Sequence, residues 1–266
     1  MECPPIWYLP PYTQTIYTYV NLNATENEGK LATGGNATLS NFSLGTKLPG
    51  FAAFPNVTII GGNLTYSSGS VTGGDAIVAG SCNVSGVNFV TGQLKCSTPT
   101  QYNLTNEFQN LQFYTKYFAR LKSNGVVTSN FGTLNFNSDD TGLNIFYVTT
   151  SEFAQASNII INCPATSWVV INIPDATNII QNIYVGLQNI QANRVIYNFY
   201  DTTALTVTNV GVQGSLLAPL ADVQFLSGAI NGTLVAKSLV GSGFSQYNLA
   251  IPLPPPCIPC ICTTGV

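Results

Sequence analysis

The sequence contains no histidine and very few charged residues. Of its 266 residues, 8 are Lys or Arg and 11 are Asp or Glu, which together make 7% of the chain, against about 25% in an average globular protein. The absence of histidine excludes Ser-His-Asp and Cys-His catalytic groups and every histidine-ligated metal site. A net charge of −3 provides no positive patch for nucleic acid or an anionic membrane. We therefore expect no enzyme, no cofactor, no metal and no nucleic-acid partner.

Carboxylates are also too few for the acidic cleft of a polysaccharide-cleaving β-helix enzyme. Only Asp139 and Asp140 are adjacent, in Asn137-Ser-Asp-Asp-Thr-Gly142. Aspartate, asparagine, serine and glycine in such a cluster are typical of a turn. A general acid–base pair or a calcium site is the less favoured interpretation of this segment.

Long apolar runs are missing as well. No segment reaches the roughly 18 uninterrupted apolar residues of a membrane-spanning helix. Residues 1–20 contain no Lys or Arg and are interrupted by four prolines, so they lack the composition of a secretory signal peptide. The chain is 45% apolar, which is enough for one large folded domain.

Glycine-led phrases recur at intervals along the chain. Gly34-Gly-Asn-Ala-Thr-Leu39 returns as Gly61-Gly-Asn-Leu-Thr-Tyr66 and, more loosely, as Ala79-Gly-Ser-Cys-Asn-Val84. Gly214-Ser-Leu-Leu-Ala-Pro219 returns eighteen residues later as Gly232-Thr-Leu-Val-Ala-Lys237. Short strands repeated between glycine corners are typical of a β-solenoid.

These repeats predict a mainly β protein folded as a β-solenoid. The phrases that begin at Gly214 and Gly232 should occupy neighbouring coils, with Leu216 beside Leu234. A sandwich or barrel built from hairpins is the alternative, and it would show hairpin turns in place of copies of one phrase.

One segment between the repeats has the spacing of an amphipathic helix. Apolar residues fall at positions 108, 111, 114, 118 and 121, which predicts a helix over residues 106–122. Asn106 with Gln109 is the predicted N-terminal cap. We expect Leu111, Tyr114, Phe118 and Leu121 to pack against the side of the solenoid; an aromatic ligand-binding face is the alternative.

Four of the seven cysteines lie near the chain ends. Cys257, Cys260 and Cys262 follow a run of three prolines, and Cys3 precedes two more. Because proline keeps a chain extended and removes backbone donors, we interpret residues 1–19 and 252–266 as arms that flank a domain at 20–251. Disulfides between these arms on different molecules would join subunits head to tail, in a ring or an open fibre. A zinc site made by the three C-terminal thiolates and Cys3 of a neighbour, and incidental thiols on a frayed tail, are the alternatives.

The remaining cysteines lie within the domain. Cys82 and Cys96 are fourteen residues apart and are candidates for an intramolecular disulfide between adjacent coils; two buried free thiols are the alternative. Cys163 is expected to be reduced and buried.

The most specific stretch of the sequence resembles a known family. Gly211-Val-Gln-Gly-Ser-Leu-Leu-Ala-Pro219, Asn231-Gly-Thr-Leu-Val-Ala-Lys-Ser-Leu239 and Gly241-Ser-Gly resemble the choice-of-anchor A domain of bacterial surface proteins, over roughly residues 20–250. The closing coils are also similar to those of ice-binding β-solenoids, which lay one long helix along a β-helix. The resemblance implies a surface-exposed structural or adhesive module and supplies no catalytic residues.

These observations lead to one main functional hypothesis. A weakly charged surface repels its own copies weakly, so we expect a structural subunit that polymerises with itself into an extracellular filament, spore appendage or surface layer. A monomeric surface adhesin or ligand-binding module is the alternative, with its carbohydrate or host ligand left open. Ice binding is less favoured, because the threonines do not form an uninterrupted Thr-x-Thr ladder.

Overall fold

The computed structural model describes residues 16–23, 26–48, 56–242 and 244–247, with side chains described over 27–48 and 56–242. Short parallel strands joined at tight corners wind into a β-solenoid, as the repeats predict. The arms with Cys3, Cys257, Cys260 and Cys262 lie outside the described residues. The first strand begins at Ile16, four residues before the expected domain boundary.

The helices of the described residues are α1 (Leu104–Phe118) and α2 (Thr150–Gln155), with a 3₁₀ turn at Ala192–Arg194. The strands, in chain order, are β1 Ile16–Asn23, β2 Glu26–Asn27, β3 Leu31–Thr33, β4 Ala37–Leu44, β5 Asn56–Ile60, β6 Leu64–Val71, β7 Asp75–Val78, β8 Cys82–Phe89, β9 Leu94–Lys95, β10 Val126–Asn130, β11 Thr133–Asn137, β12 Leu143–Tyr147, β13 Asn158–Asn162, β14 Trp168–Ile173, β15 Thr177–Gln181, β16 Tyr184–Gln188, β17 Val195–Phe199, β18 Ala204–Thr208, β19 Val210–Gln213, β20 Ser215–Phe225, β21 Gly228–Asn231, β22 Leu234–Ser242 and β23 Phe244–Tyr247.

The strands form three faces around an apolar interior. Face A stacks β12, β14, β17, β20, β22, β1, β3, β5, β7 and β9 in this order. Face B stacks β15, β18, β20, β22, β1, β4, β6 and β8. Face C contains β10, β11, β13 and β16 at one end, then β19, β21, β23 and β2 with the distal parts of β4, β6 and β8. Several strands are shared because they bend from one face to the next. Among the described strands, every pairing is parallel except β10 with β11.

The order of the coils in space differs from their order in the chain. The coils that follow α1 in the chain form one half of the stack, which ends at β22. Strand β1 pairs with β22 on one side and with β3 and β4 on the other. The N-terminal coils therefore continue the stack that the C-terminal coils begin. Helix α1 connects the end of the last coil, β9, back to the beginning of the first.

The two ends of the described domain meet at one corner of this junction. In register, Tyr247 lies beside Asn231 and Ile16 lies beside Leu234. Because residues 231 and 234 are three apart in the chain, the ends at 16 and 247 lie within about 10 Å of each other.

The repeated glycine phrases stack as predicted. Leu216 pairs with Leu234 on neighbouring coils. The corner before Leu216 and Leu234 is tight: a Cβ on Gly232 would lie 2.3 Å from the carbonyl oxygen of Gly214. Any residue larger than glycine would therefore have to move the backbone at position 232.

Helix α1 lies on face A, as its apolar spacing predicts. Leu111, Tyr114 and Phe118 are buried against Trp168, Val170 and other outward residues of this face, with Leu121 partly buried beside them. The helix begins two residues earlier and ends four residues earlier than expected, at Leu104 and Phe118. Asn103, and not Asn106, is the cap: its side-chain oxygen accepts a hydrogen bond from the Asn106 amide at 3.1 Å, which satisfies one of the free N–H groups of the first turn.

A buried network of amides fixes the position of α1 on the sheet. The Asn198 side chain donates to the Asn172 side-chain oxygen at 2.7 Å and to the carbonyl of Thr115 at 2.9 Å. Asn172 donates to the carbonyl of Phe118 at 3.1 Å, and the Thr115 hydroxyl donates to Asn198. Because each buried polar group has a partner, the network fixes the helix register without burying a charge.

Helix α2 and the β10–β11 hairpin were not predicted from the sequence. Helix α2 begins at a capping box in which Thr149 and Glu152 exchange hydrogen bonds, and it contacts β15 at the first coils of the stack. The β10–β11 hairpin adds an antiparallel edge strand to face C at the same end.

Replacing a buried aromatic of α1 should destabilise the fold strongly. Phe118 is 3% exposed, whereas Phe113 on the outer side of the same helix is 51% exposed. We expect Phe118→Ala to lower the free energy of unfolding by about 3–5 kcal/mol, and Phe113→Ala to change it by about 0.5 kcal/mol or less. Urea denaturation of both variants measures this, and equal effects would contradict the packing of α1.

A candidate adhesive surface on face B

Face B presents two rows of small uncharged side chains over its N-terminal coils. Thr38 pairs with Thr65, which pairs with Asn83, and two residues further on Ser40, Ser67 and Ser85 pair in the same way. Because strand residues alternate between the two sides of a sheet, these positions point to solvent, and they are exposed or half-buried. We call these six residues the hydroxyl array: Thr38, Ser40, Thr65, Ser67, Asn83 and Ser85.

The residues between them anchor the hydroxyl array to the core. Leu39, Leu64 and Tyr66 point inward and are almost fully buried. The Tyr66 hydroxyl donates to the carbonyl of Phe42 at 2.5 Å, and burial raises the pKa of this phenol, so it stays protonated. The array therefore sits on a rigid, close-packed backing.

Asparagine side chains hold the corner that leads into the array. The Asn36 side-chain oxygen accepts a hydrogen bond from the Asn63 amide at 2.8 Å, and the Asn63 side chain accepts one from the Ser81 amide at 2.9 Å. Each amide thus joins one coil to the next. The strands leave the face at residues with positive φ, Asn41 and Ser68, where the backbone turns toward face C.

The C-terminal half of face B carries one acid among its outward strand residues. Asp222 accepts hydrogen bonds from Ser238 at 2.6 Å and from Lys237 at 3.1 Å. The Ser238 bond and then Lys237 lower the pKa of this carboxyl group, so it stays ionised and neutralised by the neighbouring lysine. The strands of the hydroxyl array itself, 37–40, 64–67 and 82–85, contain no charged residue.

The cysteines of the described domain lie in different places. Cys82 and Cys96 form a disulfide, with their Cα atoms 5.9 Å apart, in the last coil of the stack beside the hydroxyl array. Cys163 is a buried free thiol, and burial raises its pKa to about 11, which keeps it in the unreactive thiol form.

The acidic pair forms a turn. Asp140 accepts a hydrogen bond from the Gly142 amide at 2.8 Å and another from the Asn124 side chain at 3.2 Å. Within the described ranges, no three His, Cys, Asp or Glu side chains come together in a way that could hold a metal ion.

The pocket geometry favours binding on a surface. A hollow of about 160 Å³ lies beside the start of α1, lined by residues such as Ile59, Lys95 and Tyr102. A second hollow of about 480 Å³, lined by residues such as Gly34, Gly61 and Leu104, is wide open to solvent. Small-molecule sites usually bury most of the ligand, and the larger hollow is too open to do so. None of the described helices is long and apolar enough to span a membrane.

Comparison with known proteins agrees with a surface role. Residues 15–247 match the family described as "Putative Ice-binding-like adhesive domain". The chain belongs to this family. Its description names an adhesive domain that is similar to ice-binding proteins. The relationship to the choice-of-anchor A domain stays a hypothesis.

Three solved structures are similar to the chain at low identity. The ice-binding protein of the Antarctic ascomycete Antarctomyces psychrotrophicus is 12% identical, with 90% of this chain and 95% of that chain covered and a TM-score of 0.37. That of an Antarctic Flavobacteriaceae bacterium is 12% identical, with 86% and 80% covered and a TM-score of 0.39. That of an Antarctic biological consortium is 10% identical, with 92% and 90% covered and a TM-score of 0.27. No curated protein matches the chain.

Removing the Cys82–Cys96 disulfide should destabilise the domain. The bridge closes a loop with a sequence separation of 14, and a loop of this size contributes about 3 kcal/mol. We expect the double variant Cys82→Ser, Cys96→Ser to lose about that amount in chemical denaturation without reductant. A variant with the same unfolding midpoint as the parent would show that the bridge does not stabilise the domain.

Proposed function

We propose that the protein is an adhesive module of a cell or spore surface, and that it attaches to uncharged hydrogen-bonding surfaces through the hydroxyl array. The observation that carries this proposal is the in-register, charge-free arrangement of the six outward side chains. The family description, which is of adhesive domains, supports the same role.

The chemistry of the array suits a flat, neutral partner. Hydroxyl and amide groups both donate and accept hydrogen bonds, so they can adapt to a partner surface that does the same. Neighbouring strands place successive residues of each row about 4.8 Å apart on a rigid backing, and a preorganised surface loses little entropy when it binds. A charged surface would gain no ion pair from these residues.

Ice is one uncharged, ordered surface of this kind. In its favour, Thr38 and Thr65 are adjacent in one row, and Ser40, Ser67 and Ser85 form the other. The third position of the first row is Asn83, so the array is not a pure threonine ladder. We therefore propose adhesion as the general function and treat ice as one surface to be tested.

Lysines placed in the array should abolish attachment. We expect beads coated with the parent protein to attach to hydroxyl-terminated monolayers, and Thr65→Lys with Ser67→Lys to reduce attachment at least roughly tenfold, because each ammonium must lose its water at the contact. Gln109→Lys with Asn110→Lys, exposed on the outer side of α1, is the matched control with the same added charge.

The same beads on carboxylate-terminated monolayers and on polycrystalline ice separate the possible surfaces. Retention on ice with loss in the array variant would identify ice as a partner surface. Equal attachment of the array variant and the control would contradict adhesion through face B.

Self-assembly is a second candidate function, and one structural observation favours it. Strand β8 pairs only with β6 among the described strands, so its outer edge has unpaired backbone groups that can accept a strand from another copy. Disulfides between Cys3 and the Cys257, Cys260 and Cys262 group would then make such a joint covalent.

The described domain begins at Ile16 and ends at Tyr247, at the same corner. Pairing of the terminal thiols within one molecule is therefore the competing hypothesis. Electrophoresis in denaturant without reductant distinguishes the two. We expect high-mass species from the parent that disappear in Cys3→Ser and after removal of residues 257–262; a monomer whose mobility changes on reduction would show pairing within one chain.

A further inference from the structure

The four-stranded end of face C is a second surface without charge. Strands β10, β11, β13 and β16 contain no Asp, Glu, Lys or Arg. Their outward residues form three rows across the strands, which read Asn130, Thr133, Asn158, Tyr184; then Thr128, Asn135, Ile160, Gly186; then Val126, Asn137, Asn162, Gln188.

Hydrogen bonds between neighbouring strands order several of these side chains. The Asn158 side chain lies 3.4 Å from the Thr133 hydroxyl, and the Asn162 side chain donates to Asn137 at 3.5 Å and accepts from Asn189 at 3.1 Å. Asn135 and Gln188, by contrast, have no side-chain hydrogen bond within the described chain, so their amides are available to a ligand.

Tyr184 provides an apolar surface among these amides. Its side chain is 66% exposed and leans along its own strand over Gly186: a Cβ at residue 186 would lie 3.3 Å from a Tyr184 ring carbon and 3.0 Å from the Ile160 side chain. Any larger residue at position 186 would therefore displace the ring. The absence of a side chain there lets the tyrosine rest on the sheet with its outer side open to solvent.

Phe131 is a second exposed aromatic on the same rim. It occupies the tip of the β10–β11 hairpin with φ 45° and is 100% exposed. A positive φ is unfavourable for a bulky residue, and asparagine or glycine is usual in such a turn. The exposed Phe131 ring makes no packing contribution to the fold. A strained backbone at a residue that does not stabilise the fold indicates a functional role for that residue.

The backbone aligns the two aromatics along one edge. The Gly132 carbonyl accepts hydrogen bonds from the amides of Ser157 and Asn158, and the Tyr184 amide donates to the carbonyl of Ser157 at 3.0 Å. The corners before β11, β13 and β16 therefore stack directly. Two strand spacings separate Phe131 from Tyr184, or about 10 Å.

We propose that this end of face C binds a neutral carbohydrate chain that lies across the strands, with sugar rings against Phe131 and Tyr184. A tyrosine offers an apolar ring with a polar tip, which matches the apolar face and hydroxyl rim of a sugar. The free amides of Asn135 and Gln188 both donate and accept, as sugar hydroxyls do. The four strands carry no cation that could attract an acidic polysaccharide. This inference goes beyond the proposed function, since it concerns a different face and a named ligand class.

Sedimentation with insoluble particles tests this proposal on the full chain. The probes are microcrystalline cellulose and chitin, which are uncharged, with polygalacturonate gel as an acidic polysaccharide. We expect binding to at least one neutral probe, unchanged between low and high salt because no ion pair forms. Phe131→Ala and Tyr184→Ala should each weaken the affinity by roughly tenfold or more. The control Phe113→Ala, which removes an exposed aromatic from α1, should bind as the parent does.

Thermal unfolding of each variant confirms that its fold is intact. No binding to either neutral probe, or binding that Phe131→Ala and Tyr184→Ala leave unchanged, would overturn the proposal. So would a dimer that forms with increasing concentration and is lost in Tyr184→Ala without any effect of carbohydrate, because a second copy would then cover this face. The lysine variants of the hydroxyl array should retain carbohydrate binding, so failure of one proposal is distinguishable from failure of the other.

Discussion

The pairing of β1 with β22 joins the two halves of the solenoid, and the rest of the structure depends on it. The C-terminal coils form one end of the stack and the N-terminal coils form the other. The stack is continuous only because β1, the first strand, pairs with β22 of the C-terminal coils. Helix α1 covers this junction: the apolar cluster beneath it takes Ala32 and Ile59 from the N-terminal coils and Leu217 and Val235 from the C-terminal coils. The two paired strands are far apart in the chain, and a parallel strand pair contributes little stability by itself. The apolar contacts under α1 stabilise this pair.

The same stacking explains why the sequence has so few charges. In a parallel, in-register solenoid, equivalent residues of successive coils lie about 4.8 Å apart, and like charges at that distance repel each other. Stacked asparagines do not repel each other, because the amide of one donates a hydrogen bond to the amide of the next. Such pairs occur between Asn198 and Asn172 inside the fold, and between Asn209 and Asn182 at corners with positive φ. The low charge content thus suits the architecture, and the uncharged ends of faces B and C agree with it.

The sequence predicted the features that repeat and missed those that occur once. The glycine phrases identified the solenoid because each copy makes the same corner, and the apolar spacing identified α1. Helix α2 was missed although Thr149 and Glu152 form a capping box, because six residues with one buried side chain, Phe153, are too few to show the apolar spacing of a helix. No local sequence motif encodes the order of the coils, because the alternation of inward and outward residues in β1 is compatible with pairing to many coils. The rows on faces B and C depend on that register, so no linear motif marks either surface.

The topology also decides which parts of the molecule can contact a partner. Face A is covered by α1, and the described domain begins and ends at the corner between faces C and A. Face B lies opposite that corner in the cross-section of the solenoid. If a tether were attached at the corner, face B would therefore point away from it. Face C adjoins the same corner, but its charge-free end with Tyr184 lies several coils from the junction, beyond β19 and β21. Under the proposed function, anchoring and binding would therefore use separate parts of one stack. This arrangement suits an adhesive module better than a subunit whose faces must all be buried against copies of itself.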